Sequence, residues 1–451
     1  MARSKSVAIL AEMGTGKTLI TIALAGALYN NGKINKMLIV APLSIVPVWE
    51  EEIKKFADYE FNIATLEGTT DKKAQALGNL FGKGLQVAVI NYESAWRIEN
   101  ELAKWKPDLI VCDESSKIKN PQAKQSKALH RLGKISKHNI ILTGTPVTNN
   151  PLDFFSQYKF LDENIFGSSF YAFRSRYAIL GGYGNHQVVG YKNLPELTEK
   201  AHSIAFRITK QEALDLPEQV DQIRYVNLEP TAIRYYRQLE RESVAELEQG
   251  NVIARNVLTK LLRLSQLTGG NIRFENTDEL YKVSTAKLNA LEEIIDECMD
   301  AGKKLVVFAR FVPEIDDIEL LLRKKGIGYA LIKGDVKDRA DQVEKFQKNS
   351  NIKVFVGQIQ TTGMGLTLTA ADTAVFYSLD YSFSNYEQAK ARIHRIGQKN
   401  KCTYIHLIAQ KTIDEKVFDA LKKKKSIADL VVDNWKSLFN TTKNQGDKHG
   451  E

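Results

Sequence analysis

The chain has 451 residues, which is enough for about three folding units of ordinary size. Apolar residues make up 43% and charged residues 26%, proportions that exclude a mostly disordered chain, a collagen-like repeat and a disulfide scaffold. Lysine and arginine number 63 against 54 aspartate and glutamate residues, and this net charge of +9 slightly favours a polyanionic partner such as nucleic acid.

Cysteines and apolar runs indicate the compartment. Cys112, Cys298 and Cys402 lie far apart in the sequence, which is typical of reduced thiols and not of disulfides or a zinc site. The most apolar runs, Leu19–Tyr29 and Met37–Trp49, are shorter than the roughly 18 residues that a membrane span needs. The basic start is followed by too short an apolar run for a signal peptide. We therefore expect a cytoplasmic protein without a membrane partner.

Short runs rich in valine and isoleucine alternate with helical patterns through the first part of the chain. The predicted strands are Val7–Leu10, Met37–Ala41, Val87–Asn91, Leu109–Cys112 and Ile140–Leu142. The helical patterns between them include Leu19–Tyr29, Val48–Phe56 and Ala123–Leu132. Continuous apolar strands that alternate with helices predict a parallel sheet covered on both faces.

The middle of the chain has a different pattern. Gly181, Gly182 and Gly184 interrupt an aromatic-rich segment, and Thr231–Thr268 has leucines at helical spacing among many charges. We expect a helical insert or linker over residues 161–282.

The alternation resumes after the insert. The predicted strands are Leu305–Ala309, Tyr329–Ile332, Val354–Val356, Ala374–Tyr377 and Thr403–Ile408, with helical patterns such as Ile315–Leu322 and Val336–Phe346 between them. The chain is thus predicted to be α/β, with one parallel-sheet domain over 1–160, a second over 283–430, and a polar tail over 431–451.

A phosphate-binding loop follows the first predicted strand. Ala11–Thr18 reads AEMGTGKT and precedes an apolar helix, which is the strand–turn–helix context that a P-loop requires. The expected ATP-binding residues are Gly14, Thr15, Gly16, Lys17 and Thr18. The glycines let backbone N–H groups face the phosphates, Lys17 reaches the β- and γ-phosphates, and Thr18 offers its hydroxyl to Mg²⁺.

Two carboxylates end another predicted strand. Asp113 and Glu114 follow the apolar run Leu109–Cys112, and adjacent buried acids are costly unless a cation is near. Asp113 is the expected Mg²⁺ ligand, and Glu114 is expected to polarise the water that attacks the γ-phosphate.

These motifs and others in the same order resemble those of superfamily 2 helicases, specifically the SWI/SNF-type DNA-dependent ATPases. The resemblance is carried by Leu10–Thr18, Ile39–Ser44 with Trp49, Asn91–Glu93, Asp113–Ser116, Leu142–Asn150, Gly334–Asp335 with Arg339, Thr361–Asp372, Gln388–Gln398 and Thr412–Glu415. It implies two RecA-like domains with a helical insert between them. Ala11 stands where the family usually has aspartate. The family's adenine-reading helix has no counterpart before the first strand, and no chromodomain, bromodomain or zinc module is evident, so we expect a compact bacterial or phage form.

The motif Gln388–Gln398 is the one most specific to the SWI/SNF branch. Asn385–Ile396 has a helical pattern, which would place Gln388, Arg392 and Arg395 on one helix face. The resemblance implies that the two arginines act as arginine fingers on the transferring phosphate, with Gln388 beside them as a further catalytic residue.

The resemblance also implies a nucleic-acid contact surface on both domains. Its residues are Pro42, Leu43, Ser44 and Thr145 on the first domain, and Lys333, Thr361 and Thr362 on the second. Contacts to the sugar-phosphate backbone position a protein without reading sequence. We therefore expect little sequence preference. The resemblance further implies that ATP hydrolysis with Mg²⁺ drives movement along duplex DNA. The alternatives are a helicase that separates strands of forked or single-stranded DNA or RNA, and a nucleotide-gated DNA clamp with weak catalysis.

Overall fold

The computed structural model describes residues 5–182, 184, 187–248, 254–273, 279–334, 338–362 and 366–428. The chain forms two compact units. The first unit extends to Leu214 and includes the chain again from Lys424, and the second unit is Asp215–Lys423. The predicted tail, 431–451, lies outside the described residues.

A parallel sheet of seven strands forms the centre of the first unit. The strands of this unit are β1 (Ser6–Ala11), β2 (Lys36–Ala41), β3 (Phe61–Thr65), β4 (Leu85–Asn91), β5 (Leu109–Asp113), β6 (His138–Leu142), β7 (Ala178–Gly181), β8 (Gln187–Tyr191) and β9 (Ala205–Ile208). The sheet order is β3-β4-β2-β5-β6-β1-β9, with all neighbours parallel, while β7 and β8 form a separate antiparallel hairpin. All five strands predicted for this part of the chain are present.

Helices cover the sheet because their apolar side chains recur at helical spacing. They are α1 (Lys17–Asn30), α2 (Val46–Phe56), α3 (Thr70–Gly78), α4 (Tyr92–Ala95), α5 (Glu99–Trp105), α6 (Lys124–Ile135), α7 (Phe154–Leu161), α8 (Glu163–Phe166), α9 (Phe170–Tyr177), α10 (Leu194–His202) and α11 (Lys210–Ala213). Single 3₁₀ turns occupy Leu43–Ile45, Ser115–Ile118 and Pro151–Asp153. Helix α2 is a clear case, since Val46, Trp49 and Ile53 point into the core with Ile39 and Val111 of the sheet.

A second parallel sheet, of six strands, forms the centre of the second unit. The strands of this unit are β10 (Gln219–Val226), β11 (Asn271–Arg273), β12 (Leu280–Lys282), β13 (Leu305–Ala309), β14 (Gly328–Ile332), β15 (Ile352–Gln358), β16 (Thr373–Phe376) and β17 (Cys402–Ala409). The order is β10-β17-β16-β13-β15-β14, again all parallel, and β11 pairs with β12 in an antiparallel hairpin. The predicted fold class, two parallel-sheet α/β domains, is confirmed.

The helices of the second unit include two, α12 (Pro230–Glu248) and α13 (Ala254–Thr268), over the segment Thr231–Thr268, where the sequence has leucines at helical spacing. The others are α14 (Ala286–Asp300), α15 (Val312–Lys324), α16 (Arg339–Lys348), α17 (Ile359–Thr362), α18 (Phe383–Lys390) and α19 (Ile413–Ala428), of which α19 continues past the end of this unit at Lys423. No helix in the described ranges is both long and apolar enough to cross a bilayer.

The residues of the predicted insert, 161–282, are divided between the two units. Those up to Leu214 belong to the first unit, where β9 extends its sheet, and those from Asp215 belong to the second, where β10 begins its sheet. The insert and the other predicted domain boundaries stay predictions.

Candidate active site

Four of the predicted motifs meet at one edge of the first sheet. The P-loop follows β1, Pro42 follows β2, Asp113 ends β5, and Thr143 follows β6. Leu142 of β6 is in register with Ile9 on one side and with Asp113 on the other. Because adjacent strands are about 4.8 Å apart, this register places the P-loop and the acidic strand end roughly 10 Å from each other. The carboxyl ends of parallel strands are where such sheets bind ligands.

The P-loop turns sharply at its two glycines. Gly14 and Gly16 have φ of 86° and 84°, in the left-handed region that only glycine adopts without strain. Helix α1 begins at Lys17, directly after Gly16, so its unpaired N–H groups and positive dipole end face the loop. The Lys17 ammonium donates to the carbonyl oxygens of Ala11, at 3.0 Å, and Glu12, at 3.3 Å. This arrangement is a cradle for an anion.

Glu12, inside the P-loop, is anchored to β9 and the residues after it. The Arg207 guanidinium lies 3.2 Å from the Glu12 carboxylate and donates to the carbonyl oxygen of Leu10 at 2.9 Å. The backbone N–H of Lys210 donates to the other Glu12 oxygen at 3.0 Å. No role for Arg207 was predicted, because about 195 residues separate it from the loop. The pairing of β9 with β1 brings Arg207 to the loop.

Asp113 is buried and held by three hydrogen bonds. Its Oδ2 accepts from the indole N–H of Trp49 at 2.9 Å, and its Oδ1 accepts from the backbone N–H of Glu114 at 2.9 Å. The Tyr92 hydroxyl donates to the Asp113 carbonyl oxygen at 2.7 Å. Burial, and next the Glu114 charge, raise the Asp113 pKa to about 6, and the Lys17 charge opposes this shift. A buried carboxylate whose charge is costly fits a site that binds a cation.

Glu114 is buried beside Asp113, in a left-handed backbone conformation with φ of 51°. The backbone turns there into the 3₁₀ turn Ser115–Ile118, where the Lys117 N–H donates to the Glu114 carbonyl oxygen at 3.0 Å. The Ser115 hydroxyl donates to the Gln157 side chain at 2.7 Å. The acidic strand end is therefore tied to helix α7 through Ser115.

The motif after β6 lies against the P-loop. A Cβ added at Gly144 would be 3.3 Å from both the carbonyl oxygen of Ala11 and the Cα of Glu12. Further along, the Asp153 carboxylate accepts from the Thr148 N–H and hydroxyl, each at 2.9 Å. The Lys119 ammonium donates to the same Thr148 hydroxyl. This network fixes the loop that carries Thr145.

The predicted nucleic-acid contacts of the first unit lie at the same sheet edge. Pro42 is buried, Ser44 is half-buried, and Leu43 is 67% exposed at the start of a 3₁₀ turn. Thr145 is half-buried, and its N–H donates to the Thr143 hydroxyl at 3.1 Å. Leu43 thus presents an accessible side chain one strand away from Asp113.

In the second unit, the predicted helix over Asn385–Ile396 is wrong in its extent. Helix α18 ends at Lys390, since the Arg392 N–H bonds to Ala389, three residues back, and the Arg392 carbonyl oxygen accepts from Leu368 instead of continuing the helix. Arg392 and Arg395 lie in the turns that follow, so they do not share a helix face with Gln388.

The two arginines nevertheless converge. Both guanidinium groups donate to the carbonyl oxygen of Leu366, Arg392 at 3.2 Å and Arg395 at 3.1 Å. Gln388 stays on α18, where its amide donates to the Ser384 hydroxyl at 3.4 Å. The two predicted guanidinium groups are therefore close together, but they meet at a shared acceptor and not on a common helix face.

The remaining predicted contacts follow strands β14 and β15. The Lys333 ammonium forms ion pairs with Asp316, at 2.6 Å, and Glu319, at 3.6 Å, and the hydrogen bond to Asp316 raises its pKa. Thr361 and Thr362 end the short helix α17, but their side chains lie outside the described part of the chain. Asp335 and residues 363–365 lie outside it as well.

A P-loop at the end of one parallel strand, with an Asp-Glu pair at the end of a nearby one, defines a P-loop nucleotide-binding unit. Comparisons with known proteins are consistent with that class. The family model for the SNF2-related domain matches residues 2–269, and the model for the helicase conserved C-terminal domain matches residues 286–397. The chain belongs to the SNF2-related family, which confirms the predicted class, a helicase-type ATPase of the SWI/SNF branch.

Individual relatives are similar along nearly the whole chain. A RAD54-like DNA repair and recombination protein of Drosophila persimilis is 27% identical over 94% of this chain and 60% of its own length. A probable chromatin-remodeling complex ATPase chain of Oryza sativa subsp. japonica is 27% identical over 97% of this chain and 40% of its own length. The chain thus spans about half the length of these relatives. A solved structure, the SWI2/SNF2 ATPase core of Sulfolobus solfataricus in complex with dsDNA, is 27% identical over 94% of this chain and 88% of its own, with a TM-score of 0.42.

Proposed function

We propose that the chain hydrolyses ATP when it is bound to DNA and uses the reaction to move along the duplex without sequence preference. The observation that carries the proposal is the meeting of Lys17 and the Asp113–Glu114 pair at one sheet edge. Family membership supports it, and so do the names of the relatives, a DNA repair and recombination protein and a probable chromatin-remodeling complex ATPase chain.

The nucleotide's phosphates would occupy the cradle of the P-loop. The Lys17 ammonium, which donates to two loop carbonyl oxygens, would turn to the β- and γ-phosphates, and the N–H groups around Gly16 would complete the contact. Thr18 and Asp113 would hold Mg²⁺, which neutralises phosphate charge when it is bound. The raised pKa of Asp113 supports this assignment, because a cation offsets the cost of the buried charge.

Hydrolysis requires a base and a group that stabilises the developing charge. Glu114, next to Asp113, would orient and polarise the attacking water. Arg392 and Arg395, which already converge on one carbonyl oxygen, would transfer their hydrogen bonds to phosphate oxygens, with Gln388 nearby. Because these residues belong to different units, ATP binding would draw the units together and hydrolysis would let them separate.

The duplex would contact the backbone-binding residues of both units. These are Pro42, Leu43, Ser44 and Thr145 of the first unit, and Lys333, Thr361 and Thr362 of the second. The exposed Leu43 and the basic net charge support such a surface, and backbone contacts explain why no sequence preference is expected. We propose a cytoplasmic location, in a bacterial or phage-infected cell.

The test is a titration of steady-state phosphate release with blunt duplex DNA, single-stranded DNA and RNA. We expect the blunt duplex to stimulate hydrolysis most strongly, and Lys17→Ala to abolish turnover with every polymer. A protein whose turnover no nucleic acid increases would contradict the proposal. A protein that binds ATP and DNA but releases almost no phosphate would instead be the nucleotide-gated clamp.

One observation favours the strand-separating alternative. The hairpin of β7 and β8 carries the exposed apolar residues Ile179 and Val189, the latter 62% exposed, and apolar wedges can unstack base pairs. If this hairpin splits strands, the protein should displace a strand from a forked substrate, and Val189→Asp should abolish displacement without lowering ATP hydrolysis. A translocase on duplex DNA should show no displacement in either form.

A further inference from the structure

Trp49 lies between the 3₁₀ turn Leu43–Ile45 and the acidic strand end at Asp113. It lies in the first turn of α2, which begins at Val46 directly after the 3₁₀ turn Leu43–Ile45. The Ile45 N–H donates to the Pro42 carbonyl oxygen at 2.9 Å, so turn and helix form one continuous piece of backbone. At about 1.5 Å per residue, Trp49 is on the order of 9 Å along the helix axis from Leu43.

The indole N–H of Trp49 lies against the carboxylate of Asp113. Trp49 is 1% exposed, and its N–H, the only hydrogen-bond donor that an indole has, donates to Asp113 Oδ2 at 2.9 Å. The other carboxylate oxygen is fixed by the Glu114 N–H. Because each carboxylate oxygen has two lone pairs, both bonds leave acceptor sites free for a cation or its water. Trp49 thus sets the orientation of Asp113 without blocking it.

Core packing alone does not account for this bond. Trp105 of α5 is also a buried indole, and its N–H has no hydrogen-bond partner among the described residues. Burial of an indole in the first unit therefore does not by itself bring its N–H to a protein acceptor among the described residues. The Trp49 N–H is distinguished by a carboxylate acceptor, and bonds to charged acceptors are the stronger ones in a buried setting.

We propose that Trp49 is a positioning residue that transmits contact of a nucleic-acid backbone at Pro42, Leu43 and Ser44 to the carboxylate of Asp113. A polymer that holds the turn also holds the start of α2, and the buried face of that helix, with Val46 and Ile53, moves as one body. Because the indole already bonds to Asp113, a polymer that holds the turn would also hold this bond and so restrict Asp113 to one orientation. This inference rests on the proposed function and adds a route by which DNA stimulates hydrolysis.

The variant that tests it is Trp49→Phe, which keeps an aromatic ring and removes the donor, with Trp105→Phe as the matched control. We expect the maximal DNA-stimulated rate of Trp49→Phe to fall about tenfold, the effect of losing a hydrogen bond to a charged group. The duplex concentration at half-stimulation should stay as in the wild type, because the turn that contacts DNA is intact. Trp105→Phe should match the wild type in both quantities.

A second measurement does not depend on activity or on the folding of a variant. In a spectrum of the wild-type chain labelled with ¹⁵N at tryptophan, adding blunt duplex without nucleotide should move the indole signal of Trp49 and leave that of Trp105 in place. A Trp49 signal that is unmoved at saturating duplex would overturn the inference.

The kinetic outcomes separate the inference from the proposed function. If DNA does not stimulate ATP hydrolysis by the wild type, both the proposed function and the inference are wrong. A stimulated wild type with an equally stimulated Trp49→Phe would overturn the inference alone. It would also be overturned if Trp49→Phe needed more duplex at an unchanged maximal rate, or if Trp105→Phe lost as much stimulation, since either result indicates general packing.

Discussion

At the scale of single residues, Glu114 has a left-handed backbone conformation that is costly for a residue with a side chain. A φ of 51° is unfavourable by about 1 to 2 kcal/mol for a residue with a side chain. The conformation is held by neighbours, since Tyr92 bonds to the Asp113 carbonyl oxygen and the Lys117 N–H to that of Glu114. Strain of this kind often occurs where function needs a particular backbone path.

If Glu114 activates water, Glu114→Gln should lower the hydrolysis rate about 100-fold or more, because a general base typically contributes at least that much. Nucleotide affinity should be nearly unchanged, since Lys17 and the loop amides remain. Phosphate release and titration with a fluorescent ATP analogue measure the two quantities. Glu67→Gln, at an exposed position of the same unit, is the control. A variant that hydrolyses ATP at the wild-type rate would exclude the role.

Arg395→Ala tests the proposed role of the converging guanidinium groups. Arginine fingers contribute about 10³-fold or more to the rate, so the maximal rate should fall by that order while ATP still binds. Arg323→Ala is the control, since its guanidinium pairs with Glu319 and not with Leu366. Loss of ATP binding together with hydrolysis would instead indicate that Arg395 supports the fold.

At the scale of elements, Gly144 determines how closely the motif after β6 approaches the P-loop. In Gly144→Ala, the new methyl group would press on Ala11 and Glu12 at 3.3 Å. Overpacking costs about 1 kcal/mol or more, so we expect ATP affinity to fall about fivefold. Equilibrium titration of the nucleotide measures this. Gly78→Ala, where a Cβ has open space, should bind ATP normally, and equal affinity in both variants would contradict the packing argument.

Because Glu314 is buried at the start of helix α15, we expect the free energy of unfolding to depend on pH. Glu314 accepts from the N–H groups of Arg310, at 3.2 Å, and Phe311, at 3.1 Å, and from the Ser378 hydroxyl at 2.5 Å. Burial raises its pKa to about 7, against the bonds and the Lys287 charge, which lower it. The folded state therefore keeps a proton that the unfolded state loses, and stability falls as pH rises from about 4.5 through 7.

Glu314→Gln removes this titration. Relative to the wild type, the variant should gain up to about 3 kcal/mol in free energy of unfolding between pH 5 and 8, because the buried charge no longer forms. Urea unfolding at both pH values measures the change. Glu344→Gln, on the exposed face of α16, should follow the wild type. A parallel pH dependence in Glu314→Gln and the wild type would contradict the assignment.

At the scale of the whole molecule, the proposed DNA surface draws on both units and on a net charge of +9. Neutralising phosphates releases counterions, so duplex affinity should fall by a factor on the order of 1000 between about 50 and 200 mM salt. Fluorescence anisotropy with several labelled duplexes measures this. A strong dependence on base sequence, or affinity that is insensitive to salt, would contradict binding through the backbone.

The sequence by itself determined the central strands and the P-loop. Strands such as Ile39–Ala41 and Val354–Val356 are apolar without interruption because both of their faces are covered, and Gly14–Thr18 is contiguous, so its chemistry needs no distant partner. The edge strands β3, β9 and β10 were missed. Their sequences are mixed or polar, as in Gln219–Val226, because edges are less covered.

Only the tertiary structure decided which distant groups meet. The bond from Trp49 to Asp113 joins residues 64 positions apart, and the bonds of Arg392 and Arg395 to Leu366 depend on where α18 ends. Periodicity predicts which face of a helix is apolar but not where its last hydrogen bond forms. Strand order and packing select the acceptors of buried donors, and that selection is a property of the assembled sheets and not of any local segment.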